Sequence, residues 1–209
     1  MSKNICDYSQ PNFYKFSEDS INLSKEVLSL IECNFSEIYP LKGLDLFSGC
    51  GVVGLEIMRK TDRDISFDFI ELQKDYKVSF NKNVQKFLKD DKIEKARFLN
   101  INYLELRDGG DMKYDLIVSN PPYFYPEKNR MGQDHKKNLC RFFIDNTFSD
   151  FLTFIMESLS EKGIAAFLLR EDEVKNELKN FVDCQEVLKI EKAKTLNKVS
   201  IFVATFLHK

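Results

Sequence analysis

Closely spaced cysteines are missing from this sequence. The 209-residue chain has five cysteines, and they lie far apart, at positions 6, 33, 50, 140 and 184. A zinc site or a redox CxxC motif needs ligands near each other along the chain, and disulfide frameworks are typical of much shorter secreted proteins. We therefore expect free thiols in a reducing cytoplasm, and no metal site.

Long apolar runs are missing too. The segment 1–7 lacks the apolar core of a signal peptide, and no stretch approaches the roughly 20 residues that a membrane span requires. An excess of one charge is also absent, since the formal net charge is −2. Nucleic-acid phosphates usually select a basic face, so the overall charge gives no argument for such a partner. We expect a cytoplasmic monomer that does not contact a membrane.

The chain does contain enough apolar residues, 43% of the total, for one full core. Short β-type runs alternate with helical ones, which favours an α/β fold with helices on both faces of a mainly parallel sheet. The predicted strands are 41–47, 64–70, 96–101, 114–119, 163–169, 186–191 and 200–207. The predicted helices are 19–33, 52–60, 74–89, 145–159 and 173–181.

The last two predicted strands lie too close together for a helical crossover. The seven-stranded sheet should therefore end in a C-terminal antiparallel hairpin. Residues 1–40 are interpreted as a helical N-terminal extension packed on the core, and residues 41–209 as the main domain.

A glycine-rich turn follows the first predicted strand. The pattern Gly49-x-Gly51-x-x-Gly54 stands between a strand and a helix, where glycine lets the backbone approach a ligand. Glu71 ends the next strand, a position from which a carboxylate can accept both hydroxyls of a ribose. The arrangement predicts a site for an adenosine-containing cofactor. A tight turn built from structural glycines is the alternative.

The histidines bear on the choice of cofactor. His135 and His208 are the only two, and neither follows a strand end, which counts against a nicotinamide dehydrogenase. We interpret His135 as a surface residue. The terminal hairpin suits a methyltransferase sheet better, and the cofactor would then be S-adenosylmethionine, with Asp45 and the glycine loop holding its methionyl end.

The tetrapeptide Asn120-Pro121-Pro122-Tyr123 comes directly after the predicted strand 114–119. Two prolines hold a polar side chain at the end of a buried strand, beside an aromatic ring. The Asn120 oxygen and the Pro121 carbonyl can accept the two hydrogens of a flat NH2 group, and Tyr123 can stack on the ring that bears it. This pattern predicts transfer of a methyl group to an amine. A Pro-Pro turn after a core strand is the structural alternative.

A basic segment, 124–141, follows the tetrapeptide. It has five basic residues against two acidic ones. The basic residues are Lys128, Arg130, Lys136, Lys137 and Arg141. The segment is either a solvated loop or a local contact surface for RNA.

These motifs together resemble a known group. The loop Asp45-Leu46-Phe47-Ser48-Gly49-Cys50-Gly51, the strand-end Glu71 and the later Asn-Pro-Pro-Tyr resemble the class I methyltransferases that use S-adenosylmethionine to modify exocyclic or amide nitrogens. The segment 14–23 (YKFSEDSINL) is similar to the opening of bacterial adenine-N6 methyltransferases that act beside the anticodon of valine tRNA. The resemblance implies a Rossmann-like fold and an RNA substrate, tRNA in particular.

The resemblance also implies roles for individual residues. The catalytic residues would be Asn120, Pro121, Pro122 and Tyr123. The cofactor would contact Phe16, Asp45, Phe47, Gly49, Gly51, Glu71, Asn102 and Asn120. The substrate would contact Tyr123, Lys128, Arg130, Lys136 and Lys137. Phe47 replaces the glycine that usually opens the loop, and Asn102 replaces an acidic residue that often contacts the adenine amine.

Other interpretations share part of this pattern. Release-factor glutamine-N5 methyltransferases also carry Asn-Pro-Pro-Tyr, but they have a longer helical domain where this chain has only residues 1–40. Other rRNA or DNA amino-methyltransferases stay open, although no insertion is long enough for a DNA target-recognition domain. The last alternative is a module that binds a cofactor or RNA without transferring a methyl group.

Overall fold

Seven strands form one sheet in the order β3-β2-β1-β4-β5-β7-β6. The computed structural model describes residues 7–35, 39–109 and 112–207, so Cys6 and His208 lie outside it. The strands are β1 Leu41–Leu46, β2 Ile65–Ile70, β3 Ala96–Leu99, β4 Tyr114–Ser119, β5 Leu159–Leu169, β6 Leu188–Leu196 and β7 Val199–Phe206. Strands β1 to β5 pair in parallel, and β7 is antiparallel to both β5 and β6. The predicted α/β fold with a C-terminal antiparallel hairpin is confirmed.

Helices cover both faces of this sheet, as predicted. They are α1 Glu18–Asn34, α2 Val52–Lys60, α3 Tyr76–Phe87, the short α4 Asp90–Ile93 and α5 His135–Leu139, α6 Phe148–Ser158 and α7 Glu171–Asp183. Side chains alternate across β4, so Leu116 and Val118 face the core cluster under α1, α2 and α3. Ile117 faces the second cluster, under α6 and α7. Within the described residues, no helix has the length and apolarity needed to cross a membrane.

Some predicted boundaries are wrong for local reasons. β6 runs on to Leu196 because it is an edge strand, where exposed Lys and Glu side chains hide the alternation of apolar residues. α6 begins at Phe148 instead of 145, because Thr147 and Asp150 form a capping box that starts the helix there. β5 begins at Leu159 instead of 163, before an irregularity in its pairing with β4. The basic segment 124–141 contains the short helix α5.

The N-terminal part of the chain packs on the sheet through α1. Leu23, Val27 and Ile31 of α1 are fully buried in the same cluster as α2 and α3. The division of the chain at residue 40 stays a prediction. Helix α1, which precedes that point, shares its core with residues of the main domain.

Asn83 ties the segment before α1 to the glycine-rich turn. Its side-chain oxygen accepts from the Ser9 backbone N–H at 2.7 Å, and its Nδ2 donates to the carbonyl oxygens of Ser9 and Cys50, each at 3.0 Å. Asn83 is completely buried. Three backbone groups therefore depend on one side chain for their hydrogen bonds.

We expect Asn83→Ala to lower the free energy of unfolding by about 2–4 kcal/mol, because it leaves buried backbone donors and acceptors without partners. Chemical denaturation would measure the loss. The matched control is Asn81→Ala on the exposed side of the same helix. Equal stability of the two variants would contradict the linking role of Asn83.

Candidate active site

A cleft opens at the carboxyl ends of β1, β2 and β4. The space within it, counting its open mouth, is about 1160 Å³. Its lining includes Gln10, Tyr14, Phe16, Ser20, Asp45, Phe47, Ser48, Gly49, Cys50, Glu71, Gln73, Tyr76, Asn102, Tyr103, Asn120, Pro121, Pro122 and Cys140. Ligands of open parallel sheets bind in this position, where the strand order reverses.

The turn after β1 has a left-handed backbone at three residues. The φ angles are +56° at Phe47, +52° at Gly49 and +81° at Gly51. At Gly51 a Cβ atom would come within 2.7 Å of the Phe80 ring, so glycine is required there. Phe47 adopts the same conformation without being glycine, and its ring packs on Tyr103 with centroids 5.3 Å apart. Aromatic packing therefore offsets the backbone strain of the substitution noted above.

Two buried carboxylates hold the turn from below. The Asp45 carboxylate accepts from the Gly54 N–H at 2.9 Å. The Glu71 carboxylate accepts from Gly49 N–H at 2.9 Å and from Gln73 N–H at 2.8 Å. Burial raises the pKa of Asp45 to about 7 and that of Glu71 to about 7, and the charge of Glu71 adds to the rise at Asp45.

The donor set of the cleft fits S-adenosylmethionine. Ser48 Oγ and Gln73 Oε1 are buried in its lining and have no hydrogen-bond partner among the described residues. A ligand with hydroxyl groups would satisfy them. A ligand with positive charge would favour the ionised forms of Asp45 and Glu71. S-adenosylmethionine carries both kinds of group.

Asn120 lies at the end of β4 with both ends of its amide bonded. Its Nδ2 donates to Ser20 Oγ at 2.9 Å, and its Oδ1 accepts from the Tyr123 hydroxyl. The Arg141 carbonyl oxygen accepts from the N–H groups of Tyr123 and Phe124 at 3.1 and 2.9 Å. The tetrapeptide is therefore held by α1 on one side and by the segment after α5 on the other.

Two further residues predicted for the cofactor lie at the cleft, whereas Gly51, also predicted, is absent from its described lining. Phe16 and Asn102 are in its lining. The Asn102 oxygen accepts from Leu104 N–H at 3.1 Å, which caps the 3-10 helix Tyr103–Gly109. Its role toward an adenine amine stays a prediction.

The four cationic residues predicted for the substrate are placed differently. Lys128, Arg130, Lys136 and Lys137 are all absent from the described lining of the cleft. Lys136 forms an ion pair with Asp75 at 2.5 Å. Lys128 donates to the Glu173 carbonyl oxygen at 3.3 Å. Arg130 and Lys137 are exposed, as is His135.

Several lining residues were not found by sequence reasoning. Ser20 and Tyr14 belong to the segment 14–23 that carried the resemblance, so a signal for them was available. Gln73 and Tyr76 both contact the Cys140 sulfur, at 3.2 and 3.3 Å, and only tertiary structure brings these residues together.

Comparison with known proteins identifies the domain. The family model "Methyltransferase small domain" matches residues 15–146. A tRNA1(Val) (adenine(37)-N6)-methyltransferase of Flavobacterium johnsoniae is 28% identical over 130 residues, which cover 62% of this chain and 53% of the relative. The Yersinia enterocolitica protein of the same name is 24% identical over 165 residues, which cover 76% of this chain and 63% of the relative. The chain thus spans between half and two thirds of these relatives.

A solved structure shares the fold at low sequence identity. It is the hMettl16 catalytic domain in complex with MAT2A 3'UTR hairpin 6, with a TM-score of 0.67 and 12% identity. The match covers 97% of this chain and 76% of that one.

The raised pKa of Asp45 predicts how the ligand-free protein responds to pH. The folded protein keeps a proton that the unfolded chain releases from about pH 4 upward, so stability falls as the pH rises from about 4 to 7. We expect Asp45→Asn, which can still accept from Gly54 N–H, to raise the free energy of unfolding at pH 8 by about 1–3 kcal/mol.

The measurement is thermal and chemical unfolding from pH 5 to pH 8. The Asp45→Asn protein should lose less stability across this range than the unsubstituted protein. Glu71 is then the one of the two carboxyls whose raised pKa still makes stability fall with pH. Asp64→Asn, at an exposed ion pair with Lys95, is the control. The assignment would be wrong if Asp45→Asn and the unsubstituted protein had the same pH dependence.

Proposed function

Because the chain belongs to the methyltransferase small domain family, we propose that it transfers the methyl group of S-adenosylmethionine to an exocyclic amine, N6 of an adenosine in tRNA. The observation that carries this proposal is the Asn120 amide, held at the edge of the cleft between Ser20 and Tyr123. The names of the relatives from Flavobacterium johnsoniae and Yersinia enterocolitica support tRNA as the substrate.

Different residues of the cleft would bind the cofactor and the target amine. Asp45, Glu71 and the turn between Phe47 and Gly51 would hold the cofactor, and Ser48 and Gln73 would supply further polar contacts. When bound, S-adenosylmethionine supplies an electrophilic methyl group on a sulfonium. The target amine must then approach from the side of Asn120 and Pro122.

The amine needs help because its lone pair is delocalised into the adenine ring. The Asn120 oxygen and the Pro121 carbonyl would accept its two hydrogens, which favours a pyramidal nitrogen with a free lone pair. The same acceptors stabilise the positive charge that develops on nitrogen, and losing such a group typically costs on the order of 10²–10³ in rate. The methylated nitrogen is acidic and loses its proton without a strong base.

The hydrogen bond from the Tyr123 hydroxyl to Asn120 Oδ1 does not prevent that oxygen from also accepting from the target amine. A carbonyl oxygen has two lone pairs, so Asn120 Oδ1 can accept from Tyr123 and from the amine together. Burial raises the pKa of Tyr123, which keeps its hydroxyl protonated as a donor. The pair holds Oδ1 in place before the substrate arrives.

Ser20 orients the Asn120 amide from the opposite side. It is only 1% exposed, and its Oγ accepts from Asn120 Nδ2. If the amide turned over, its NH2 group would face the NH2 group of the target, and two donors would oppose each other. Ser20 is therefore a positioning residue for the reaction.

We expect Asn120→Ala to abolish methyl transfer and to leave cofactor affinity within a few-fold, because the acceptor of the amine is lost while the carboxylates of the cleft remain. Asn120→Asp keeps an acceptor and should keep measurable activity. Labelled S-adenosylmethionine, incubated with separate pools of tRNA, rRNA and protein, gives the readout, and mass spectrometry identifies the product. N6-methyladenosine formed by Asn120→Ala would rule out the role of Asn120. Label recovered as N5-methylglutamine would show that the substrate is a protein and not tRNA.

Ser20→Ala should lower kcat about tenfold or more and change KM for tRNA less than twofold, because binding is kept and only the orientation of the amide is lost. A double-mutant cycle with Asn120→Asp separates this role from a structural one. A carboxylate presents an acceptor in either orientation, so Ser20→Ala should cost little in the Asn120→Asp protein. An equal loss in both backgrounds would show that Ser20 serves only packing.

A further inference from the structure

Two arginines stack on one phenylalanine beside the tetrapeptide. The guanidinium carbons of Arg141 and Arg170 each lie 5.2 Å from the centre of the Phe124 ring. Arg141 also lies 5.7 Å from the centre of the Phe142 ring. Stacking holds a guanidinium group in a fixed plane and leaves the N–H groups at its edge available for bonding.

Most of these N–H groups have no hydrogen-bond partner among the residues that the structure describes. The Arg141 side chain forms no hydrogen bond or ion pair with the residues that the structure describes. Arg170 has one contact, from Nη2 to the exposed Asp172 at 3.3 Å, while its buried Nε has no partner in the same part of the chain. Guanidinium N–H groups that lack protein partners are suited to bonding an anion. The arrangement therefore favours an anionic ligand.

The pair borders the candidate active site. The Arg141 carbonyl oxygen anchors Tyr123 and Phe124, and Arg170 follows β5, the neighbour of the strand that ends at Asn120. Burial raises the pKa of Tyr14, and the nearby Arg141 guanidinium opposes that rise; Arg170 opposes the rise in the pKa of Tyr123 in the same way. Each guanidinium therefore lies close to a tyrosine of this region.

The basic residues of the neighbouring loop are less suited to the same task. Lys136 is neutralised by Asp75, and the ammonium group of Lys128 donates to the Glu173 carbonyl oxygen in the first turn of α7. The net charge of −2 also means that a nucleic acid would need a local cationic contact. Arg141 and Arg170 provide one beside the tetrapeptide.

We propose that Arg141 and Arg170, stacked on Phe124, bind backbone phosphates of the RNA next to the target nucleotide. This inference rests on the proposed function, because it takes RNA as the substrate. A guanidinium group presents paired donors that match two phosphate oxygens, so each arginine can hold one phosphate. The contact would position the strand without reading its sequence.

Binding of a fluorescent, unmodified valine tRNA transcript tests the proposal. The variants are Arg141→Met and Arg170→Met, which keep a long apolar chain on the Phe124 ring and remove the charge. We expect each to raise Kd about 5- to 20-fold, and to reduce the slope of log K against log salt by about one between 50 and 200 mM KCl. Lys82→Met, at an exposed lysine of α3, is the matched control and should leave both values unchanged. Cofactor affinity and thermal unfolding verify that all the variants are folded.

The outcomes separate this inference from the proposed function. If the unsubstituted protein binds tRNA and both Met variants bind it equally well, the phosphate site is wrong and the methyltransferase proposal stands. Weaker binding with an unchanged salt slope would also overturn the phosphate contact, since no ionic interaction would then have been lost. If the unsubstituted protein binds no RNA at 50 mM KCl, the RNA substrate and the phosphate site fall together.

Discussion

Three polar side chains lie at the carboxyl ends of adjacent strands, and the candidate site depends on how the chain holds them there. Asp45 is the penultimate residue of β1, and Glu71 and Asn120 directly follow β2 and β4. Asp45 and Glu71 are buried, which is costly for a carboxylate unless it has hydrogen-bond partners. The partners are backbone N–H groups for the two carboxylates, and Ser20 with Tyr123 for the amide. The bonds that satisfy these groups also shape the glycine turn and the entry to the cleft. Stability and function therefore rest on the same hydrogen bonds.

The strands that sequence patterns predicted well are those in which nearly every residue is buried. β1, β2 and β4 are buried on both faces, and their apolar runs end at polar residues that mark the site. β6 was predicted too short because an edge strand carries charges on its exposed side, which look like a loop in the sequence. The fold class needed only the order of the elements, and that order survives errors of a few residues at their ends.

The candidate site was predictable to the extent that local motifs carry it. Asp45, Gly49, Gly51, Glu71 and Asn120 follow strand ends, and parallel strands bring their carboxyl ends to one edge. The partners of these residues come from distant parts of the chain. Ser20 lies 100 positions from Asn120, and the contact of Gln73 with Cys140 spans 67 positions. No local pattern encodes such pairs, because they arise only when α1 and the segment around α5 pack on the sheet.

Charge is distributed in the order that the proposed reaction requires. Buried carboxylates lie at the inner part of the cleft, where a sulfonium and an ammonium group would be stabilised. Arginines on Phe124 lie outside it, where phosphates would arrive, and the uncharged Asn120 amide lies between them. If the proposed phosphate contact is right, a net charge of −2 is compatible with an RNA substrate, because the cationic contact is local. Under the proposed function, local placement of two fixed guanidinium groups would direct a flexible strand so that one base reaches Asn120.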